Sequence, residues 1–214
     1  MTAEQRLRFT FARGAAARYV SHLDLARLWE RALRRARLPV AYSAGFTPHA
    51  RIAFAAPLSV GHTGGAELVD VFLGEAVEPE EAAARLGAQL PEGLSLLVAQ
   101  AVPVSGPALQ AQLRAAEYVV SFAEESPALA IRVAELLARV EVPIERRREG
   151  KRVKDLDLRP FIQTLIVTST SPAQLVMRLK MDTAGAARPD EVLAALGVAD
   201  RPLKIHRVRL LLVE

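Results

Sequence analysis

The sequence predicts an α+β protein made of two tandem ferredoxin-like units, each with the element order β-α-β-β-α-β. Three observations lead to this fold class. Stretches with apolar residues at every second position alternate with stretches of helical periodicity. The order of these stretches in the first half occurs again in the second half. Between the halves lies a segment that begins with proline, serine and glycine. A single larger α+β domain is the alternative.

Residues 1–103 are predicted to form the first unit. Alternating apolar residues from Leu7 to Phe11 predict a half-buried strand. Ser21 can cap a helix that runs to about Arg37, where Leu38-Pro39 ends it because the residue before proline avoids helical geometry. The remaining elements are strands near Arg51–Ala55 and Glu67–Leu73, a helix from Pro79 to about Leu90, and a strand over Leu94–Val102.

Residues 104–115 are predicted to be a linker, and residues 116–214 the second unit. Its elements are a strand over Tyr118–Phe122, a helix over Pro127–Arg139, a hairpin of Val142–Arg148 and Lys151–Leu158, strands at Leu165–Val167 and Leu175–Met181, a helix over Pro189–Leu196 and a strand over Leu203–Val213. The repeat is one of element order and not of residue identity.

The chain of 214 residues contains no cysteine, which excludes disulfides, a thiolate nucleophile, an iron–sulfur cluster and a zinc–thiolate site. None of the four histidines has the spacing of paired metal ligands, so we expect no metal and no cofactor. No apolar run approaches the roughly 20 residues that span a bilayer, and the first residues lack the layout of a secretory signal. The expected location is the cytoplasm, without membrane contact.

Charge is distributed unevenly along the chain. Residues 1–54 contain ten arginines and three acidic residues, whereas residues 66–102 contain seven acidic residues and Arg85 as the one basic residue. Such asymmetry favours an anionic partner on the basic side. The acidic stretch Glu67–Glu92 could instead dock a partner protein.

The first predicted helix has an apolar face and an opposite face rich in arginine. This arginine face consists of Arg27, Arg31, Arg34 and Arg35. Planar guanidinium groups along a helix suit successive phosphates. The face carries no acid of its own, since Glu30 lies to one side, and like charges four residues apart destabilise a helix. A bound anion would relieve that repulsion; a solvated helix face is the structural alternative.

Other basic residues extend the predicted nucleic-acid contacts. A hairpin tip carries six basic residues, and Arg207 and Arg209 alternate with apolar residues so that both should point to an open sheet face, as should Arg6 and Arg8. The complete predicted set is Arg27, Arg31, Arg34, Arg35, His49, Arg51, Arg146, Arg147, Arg148, Lys151, Arg152, Lys154, Arg207 and Arg209.

Motifs between residues 19 and 67 resemble a known family. They are Ser21-His22-Leu23-Asp24, Arg31-Ala32, Arg35-Ala36, Leu38-Pro39, Tyr42-Ser43, Gly45-Phe46, Pro48-His49, Pro57-Leu58 and Val60-Gly61, with a weaker match at Asp157-Leu158-Arg159-Pro160. Together they resemble an uncharacterised bacterial domain family found beside, or fused to, cobalamin-binding-type radical SAM proteins. Arg13-Gly14 departs from the lysine and glycine of many relatives. The chain has no cysteine to bind the iron–sulfur cluster of a radical SAM enzyme. The resemblance therefore implies that this chain is a separate partner or substrate-presenting module of such an enzyme.

These observations predict an RNA-binding partner of a radical SAM enzyme that modifies tRNA or ribosomal RNA, with loop 43–51 supplying the specific pocket. One alternative is an RNA-directed enzyme, similar to CRISPR repeat-processing endoribonucleases with His22 or His49 as acid–base group, or to tRNA pseudouridine synthases with Asp157. The structural alternatives are a surface histidine at a helix start and an ion pair between Asp157 and Arg159. A protein-interaction scaffold is the third possibility.

Overall fold

The computed structural model describes residues 3–146, 154–182, 185–199 and 202–213. The chain has a mixed α+β fold that divides into two compact units, Met1–Leu113 and Arg114–Glu214. No helix in the described ranges is long and apolar enough to cross a membrane.

The described part of the first unit, residues 3–113, contains four strands and two α-helices in the predicted order. They are β1 (Gln5–Arg13), α1 (His22–Arg35), β2 (Ile52–Phe54), β3 (Thr63–Leu73), α2 (Pro79–Gly87) and β4 (Leu94–Val102). The strands lie in the order β4-β1-β3-β2, and each neighbouring pair is antiparallel. β1 is separated in sequence from its neighbour β3 by α1, and from its neighbour β4 by α1 and α2; both helices contribute buried residues to the core against the sheet.

Helix α1 begins and ends for local reasons. The Ser21 hydroxyl accepts a hydrogen bond from the Asp24 backbone N–H at 3.2 Å, as the capping pattern predicted. The helix ends at Arg35, two residues before the predicted end, because Arg37 adopts a left-handed conformation with φ of 52°. The Arg85 guanidinium stabilises this turn by donating hydrogen bonds to the Ala36 and Arg37 carbonyls.

The core of the first unit forms where α1 packs on the sheet. Trp29 is fully buried, and its ring lies 5.0 Å from that of Phe11 and 6.0 Å from that of Phe9. The apolar face of α1 predicted from helical periodicity is therefore the face that packs. Buried residues of this cluster include Leu7, Leu25, Ala32, Leu33, Val69, Val71, Leu73 and Leu86.

The opposite face of β1 is also buried, so the prediction that Arg6 and Arg8 face an open surface is wrong. Both arginines bind Asp70 on β3, which is 0% exposed; the Arg6 Nε–Asp70 Oδ2 and Arg8 Nε–Asp70 Oδ1 distances are both 2.8 Å. Arg6 also donates to the Gly106 and Pro107 carbonyls. The physical reason is that the predicted linker, residues 104–115, lies against this face: Gly106 and Pro107 accept hydrogen bonds from Arg6, and Gln112 accepts one from Arg8.

Among its described residues, the second unit contains seven strands, two of them in a hairpin, and two α-helices. They are β5 (Leu113–Phe122), α3 (Leu129–Ala138), β6 (Pro143–Arg146), β7 (Lys154–Asp157), β8 (Ile162–Thr170), β9 (Ala173–Asp182), β10 (Gly185–Ala186), α4 (Pro189–Ala195) and β11 (Pro202–Leu212). The main strands lie in the order β11-β5-β9-β8, and β10 adds to β9.

The predicted hairpin forms, since β6 and β7 pair in antiparallel fashion from Pro143–Asp157 to Arg146–Lys154. Its tip, residues 147–153, lies outside the described residues. The segment predicted to be a linker contains a short 3-10 turn, Leu109–Gln112, in which Leu109 is fully buried. β5 begins directly after that turn.

Candidate functional site

A small cleft of about 150 Å³ lies in the first unit, beside the C-terminal half of α1. It is lined by Glu30, Arg31, Arg34, Tyr42, Pro48, His49 and Ala50. Helix α1 supplies the first three of these residues, and the loop that follows α1 supplies the other four. The fold therefore brings two members of the predicted arginine face together with the histidine of the predicted pocket loop.

Backbone contacts hold the two ends of this loop together. Tyr42 and Ala50 form an antiparallel bridge, and the Ser43 N–H donates to the His49 carbonyl at 2.9 Å. The His49 N–H donates to the Ser43 hydroxyl at 3.0 Å. Gly45 has a φ of 129°, a conformation that side chains other than hydrogen rarely adopt, so glycine is needed where the loop turns. These contacts fix the backbone of His49 at the cleft wall.

The four arginines of the arginine face have different surroundings. Arg27 pairs with Asp24 at 3.4 Å, and Arg35 donates to the Gln89 carbonyl at 3.0 Å. Arg31 and Arg34, three residues apart and thus neighbours on the helix surface, are exposed. Within the described ranges, neither forms an ion pair with a carboxylate, including those of the acidic stretch Glu67–Glu92.

The charged side chains that line the cleft have a net positive charge but include one carboxylate. Arg31 and Arg34 bring two positive charges and Glu30 one negative charge. The sequence placed Glu30 to one side of the arginine face, whereas the structure places it in the cleft wall. Two exposed guanidinium groups beside one carboxylate leave donors for an anion that enters the cleft.

Of the two candidate histidines, His49 lines the cleft and His22 does not. His22 is the first residue of α1, half-buried, with its ring edge-on to that of Phe54 at 5.4 Å. It precedes Arg31 by nine residues, or about 13 Å of helix rise, so it does not share the cleft with His49. No group of three or more histidine, aspartate or glutamate residues in the described ranges could hold a metal ion.

Arg51 follows the cleft loop but does not line the cleft. Its guanidinium group lies over the Phe72 ring, 4.3 Å from the ring centroid, and its backbone carbonyl accepts a hydrogen bond from the Phe72 N–H at 3.0 Å. This cation–π contact engages one face of the guanidinium.

The Asp157 carboxylate is hydrogen-bonded to backbone N–H groups. Its Oδ1 accepts hydrogen bonds from the Val142 N–H at 2.7 Å and the Arg159 N–H at 2.9 Å. The Arg159 guanidinium donates to the Leu137 and Ile162 carbonyls, so the expected ion pair between Asp157 and Arg159 does not form. The Asp-Leu-Arg-Pro motif thus joins the hairpin to the start of the 3-10 turn Arg159–Phe161.

In the last described pair of the hairpin, next to its tip, Arg146 is engaged with a carboxylate. Its Nε and Nη2 atoms lie 2.7 Å from the two oxygens of Glu191, and Nη2 also donates to the Ala186 carbonyl. The other predicted contacts of the hairpin, Arg147, Arg148, Lys151, Arg152 and the side chain of Lys154, lie outside the described residues.

The two arginines of the last strand differ as well. Arg207 is 1% exposed, so the prediction that it lies on an open face is wrong: alternation shows which residues share a face but not whether that face is covered. Arg209 is exposed and pairs with Glu117 at 2.6 Å. Hydrogen bonds from Arg209 and then from Arg178 hold the pKa of the Glu117 carboxyl below its ordinary value.

Arg13 and Tyr42 have roles that the sequence alone did not predict. Arg13 is 1% exposed and donates to the Ala17, Arg18 and Val20 carbonyls, which fixes the approach to α1. Tyr42 lines the cleft; its position in the Tyr42-Ser43 motif was the available signal, but only the folded loop places it opposite the arginines.

The fold and the cleft define a mixed α+β protein with a small cleft lined by two arginines. The chain belongs to a family described as uncharacterised proteins conserved in bacteria (DUF2344), whose model matches residues 6–189. That description says nothing of a radical SAM protein. A search of proteins with curated descriptions finds no match.

Among solved structures, a chain from the crystal structure of a Cbf5-Nop10-Gar1 complex is similar, with a TM-score of 0.47 and 11% sequence identity. The similarity covers 96% of this chain and 48% of that chain, so this protein spans about half the length of its structural neighbour. A likeness at this level carries no argument about function.

Proposed function

We propose that this protein binds RNA through the cleft of α1 and loop 43–51, as a partner or substrate-presenting module of a radical SAM enzyme that modifies RNA. The observation that carries the proposal is the convergence of Arg31 and Arg34, exposed and without an ion pair in the described ranges, on one cleft with His49. Guanidinium forks at this spacing suit the oxygens of a phosphate backbone. The radical SAM partner rests on the family resemblance of the motifs in residues 19–67.

The architecture that we propose for this function is two ferredoxin-like units. The strand orders β4-β1-β3-β2 and β11-β5-β9-β8 support it, because each splits a β-α-β unit by inserting one further strand between its two strands. In this architecture the cleft belongs wholly to the first unit, so RNA binding should require the residues of α1 and its following loop.

The proposal can be tested by measuring RNA affinity by filter binding over a series of salt concentrations. Each phosphate contact on a single strand contributes ~0.7 to the slope of log K against log salt. The double variant Arg31→Gln/Arg34→Gln should therefore bind more weakly, with a slope lower by about 1.4. Arg27→Gln is the matched control, because Arg27 lies on the same helix but pairs with Asp24 outside the cleft.

Two results would contradict the proposal. An affinity that does not change with salt would mean that no phosphates are neutralised. An equal loss for Arg27→Gln and for the double variant would mean that the cleft has no special part in binding and that the surface charge of α1 acts as a whole.

A second candidate function, docking of a partner protein, is favoured by a separate observation. A groove of about 680 Å³ runs between α2 and β4, the edge strand of the first unit, and Glu80 lies in its wall. On the helix side it is lined by the small residues Ala83, Ala84, Gly87 and Ala88. The Ala84→Arg variant would place a large side chain in this groove. The test is to mix the purified variant with the proposed radical SAM partner and measure their association. Association as strong as that of the unmodified protein would exclude this candidate.

The alternative of an RNA-directed enzyme has less support. His22 does not line the cleft, and both backbone contacts of Asp157 Oδ1 give that carboxylate a structural role. Incubating cellular RNA with the protein and with His49→Ala would test it directly: RNA that is cleaved or modified by the first and not by the second would restore the enzyme hypothesis.

A further inference from the structure

Exposed aromatic side chains in this protein are concentrated at the cleft loop. Among the described tyrosine, phenylalanine and tryptophan residues, three are exposed: Tyr19, Tyr42 and Phe46. Two of these lie on the cleft loop: Tyr42 lines the cleft with Arg31 and Arg34, and Phe46, four residues further on, stands at the turn of the loop next to the cleft lining. Phe46 is fully exposed, whereas Phe9, Phe11 and Trp29 of the same unit are buried in its core.

The exposure of Phe46 is built into the loop. The bridge between Tyr42 and Ala50 and the two hydrogen bonds between Ser43 and His49 close the base of the loop, and Phe46 stands at its turn, directly after Gly45. A phenyl ring held in water gains nothing from folding, since burial is what stabilises apolar side chains. Its flat face is open to a planar ligand.

The volume of the cleft limits what can enter it. A cavity of about 150 Å³ is the size that accommodates a single benzene-sized ring. One phosphate or one aromatic base fits such a space, but a paired helix does not. In duplex RNA the base faces are covered by stacking and pairing, so only an unpaired nucleotide can present a base to an aromatic side chain.

Resting on the RNA binding proposed above, we infer that this site takes an unpaired nucleotide: Arg31 and Arg34 hold its phosphate, and its base stacks on Tyr42 or Phe46. Stacking on aromatic side chains tolerates any base, because every base has a π face. The site therefore distinguishes single-stranded from double-stranded RNA and reads no particular sequence through this contact.

The inference is tested by fluorescence anisotropy with three probes that carry equal numbers of phosphates: a single-stranded RNA, a blunt RNA duplex and a single strand with abasic sites in place of its bases. We expect the single strand to bind about tenfold more tightly than either other probe. Phe46→Ala and Tyr42→Ala should reduce this preference, and the double variant should abolish it. Tyr19→Ala, which removes an exposed aromatic ring outside the loop, should leave it unchanged.

The outcomes separate this inference from the function on which it rests. Equal affinities for the single strand and the abasic strand, or an unaltered preference in the Tyr42→Ala/Phe46→Ala variant, would overturn the inference while salt-dependent binding through Arg31 and Arg34 stands. Absence of salt-dependent binding by every probe would overturn both. A double variant that keeps its RNA preference but loses association with a purified partner protein would assign the aromatic residues to a protein contact and overturn the inference.

Discussion

Two closely spaced pairs of arginines in the first unit have opposite surroundings. The first pair is Arg6 and Arg8 on β1, and the second pair is Arg31 and Arg34 on α1. The first pair is buried against Asp70, with four hydrogen bonds to a carboxylate that is 0% exposed. The second pair is exposed, and the described residues provide it with no ion pair. The difference shows that charge in a sequence does not identify a binding surface until the positions of the carboxylates are known.

The two pairs also differ in what they contribute to stability. Removing one partner of a buried ion pair leaves an uncompensated charge out of water, which is far more costly than the loss of an exposed contact. The arginines on β1 are therefore expected to act in folding and those on α1 in binding. Variants that alter one function and not the other test this division.

The largest effect is expected for Asp70→Asn. The substitution leaves Arg6 and Arg8 buried without a counter-charge and should lower the free energy of unfolding by about 3–5 kcal/mol, as measured by urea denaturation. Asp24→Asn, which removes the exposed partner of Arg27, is the control and should cost less than about 1 kcal/mol. Equal losses for the two variants would contradict the division.

An intermediate effect is expected for Arg146→Gln in the second unit. Arg146 was predicted to contact phosphate, but its side chain is only 13% exposed and binds both oxygens of Glu191. Loss of this charged hydrogen-bonded contact should cost about 1.5–3 kcal/mol of unfolding free energy. Arg139→Gln, at the exposed end of α3, should change stability little. If Arg146→Gln instead leaves stability unchanged and weakens RNA binding, Arg146 belongs with the arginines of α1.

The smallest effect is expected for the pH dependence at Glu117. Its pKa in the folded protein lies below the ordinary value of 4.5, so the ionised carboxylate stabilises the fold above that pH, and this contribution is lost as the pH falls through the lower folded-state pKa. The arginine partners are 43% and 56% exposed, which screens the interaction. In urea denaturation from pH 7 to pH 3, the stability difference between the wild type and Glu117→Gln should narrow in acid. A stability difference that stays constant from pH 7 to pH 3 would contradict this prediction. The control is Glu135→Gln, on the exposed face of α3.

Most secondary structure could be predicted from the sequence because its causes are local. The strand Leu94–Val102 was predicted with its observed bounds, and the Ser21 cap and the proline at the start of α2 fixed two helix starts. The last turn of α1 was misplaced because a left-handed arginine at position 37, held by Arg85 from α2, ends the helix earlier than the proline signal predicts. That contact joins residues far apart in the chain.

The candidate site could be predicted only in part. Helical periodicity placed Arg31 and Arg34 on the outer face of α1, and the turn residues predicted a loop around His49. The sequence did not show that Tyr42 and Glu30 would line the same cleft. The pairing of Arg27 with Asp24 could have been predicted, because residues three apart on a helix are neighbours on its surface.

The sequence by itself determined which residues form helices and strands and which residues share a face, since side-chain periodicity follows from backbone geometry over a few residues. The tertiary structure decided which of those faces is covered and which arginines meet a carboxylate. Asp70 stands 62 and 64 residues from the two arginines that it binds, and such a pairing is created only when β1 and β3 come together in one sheet.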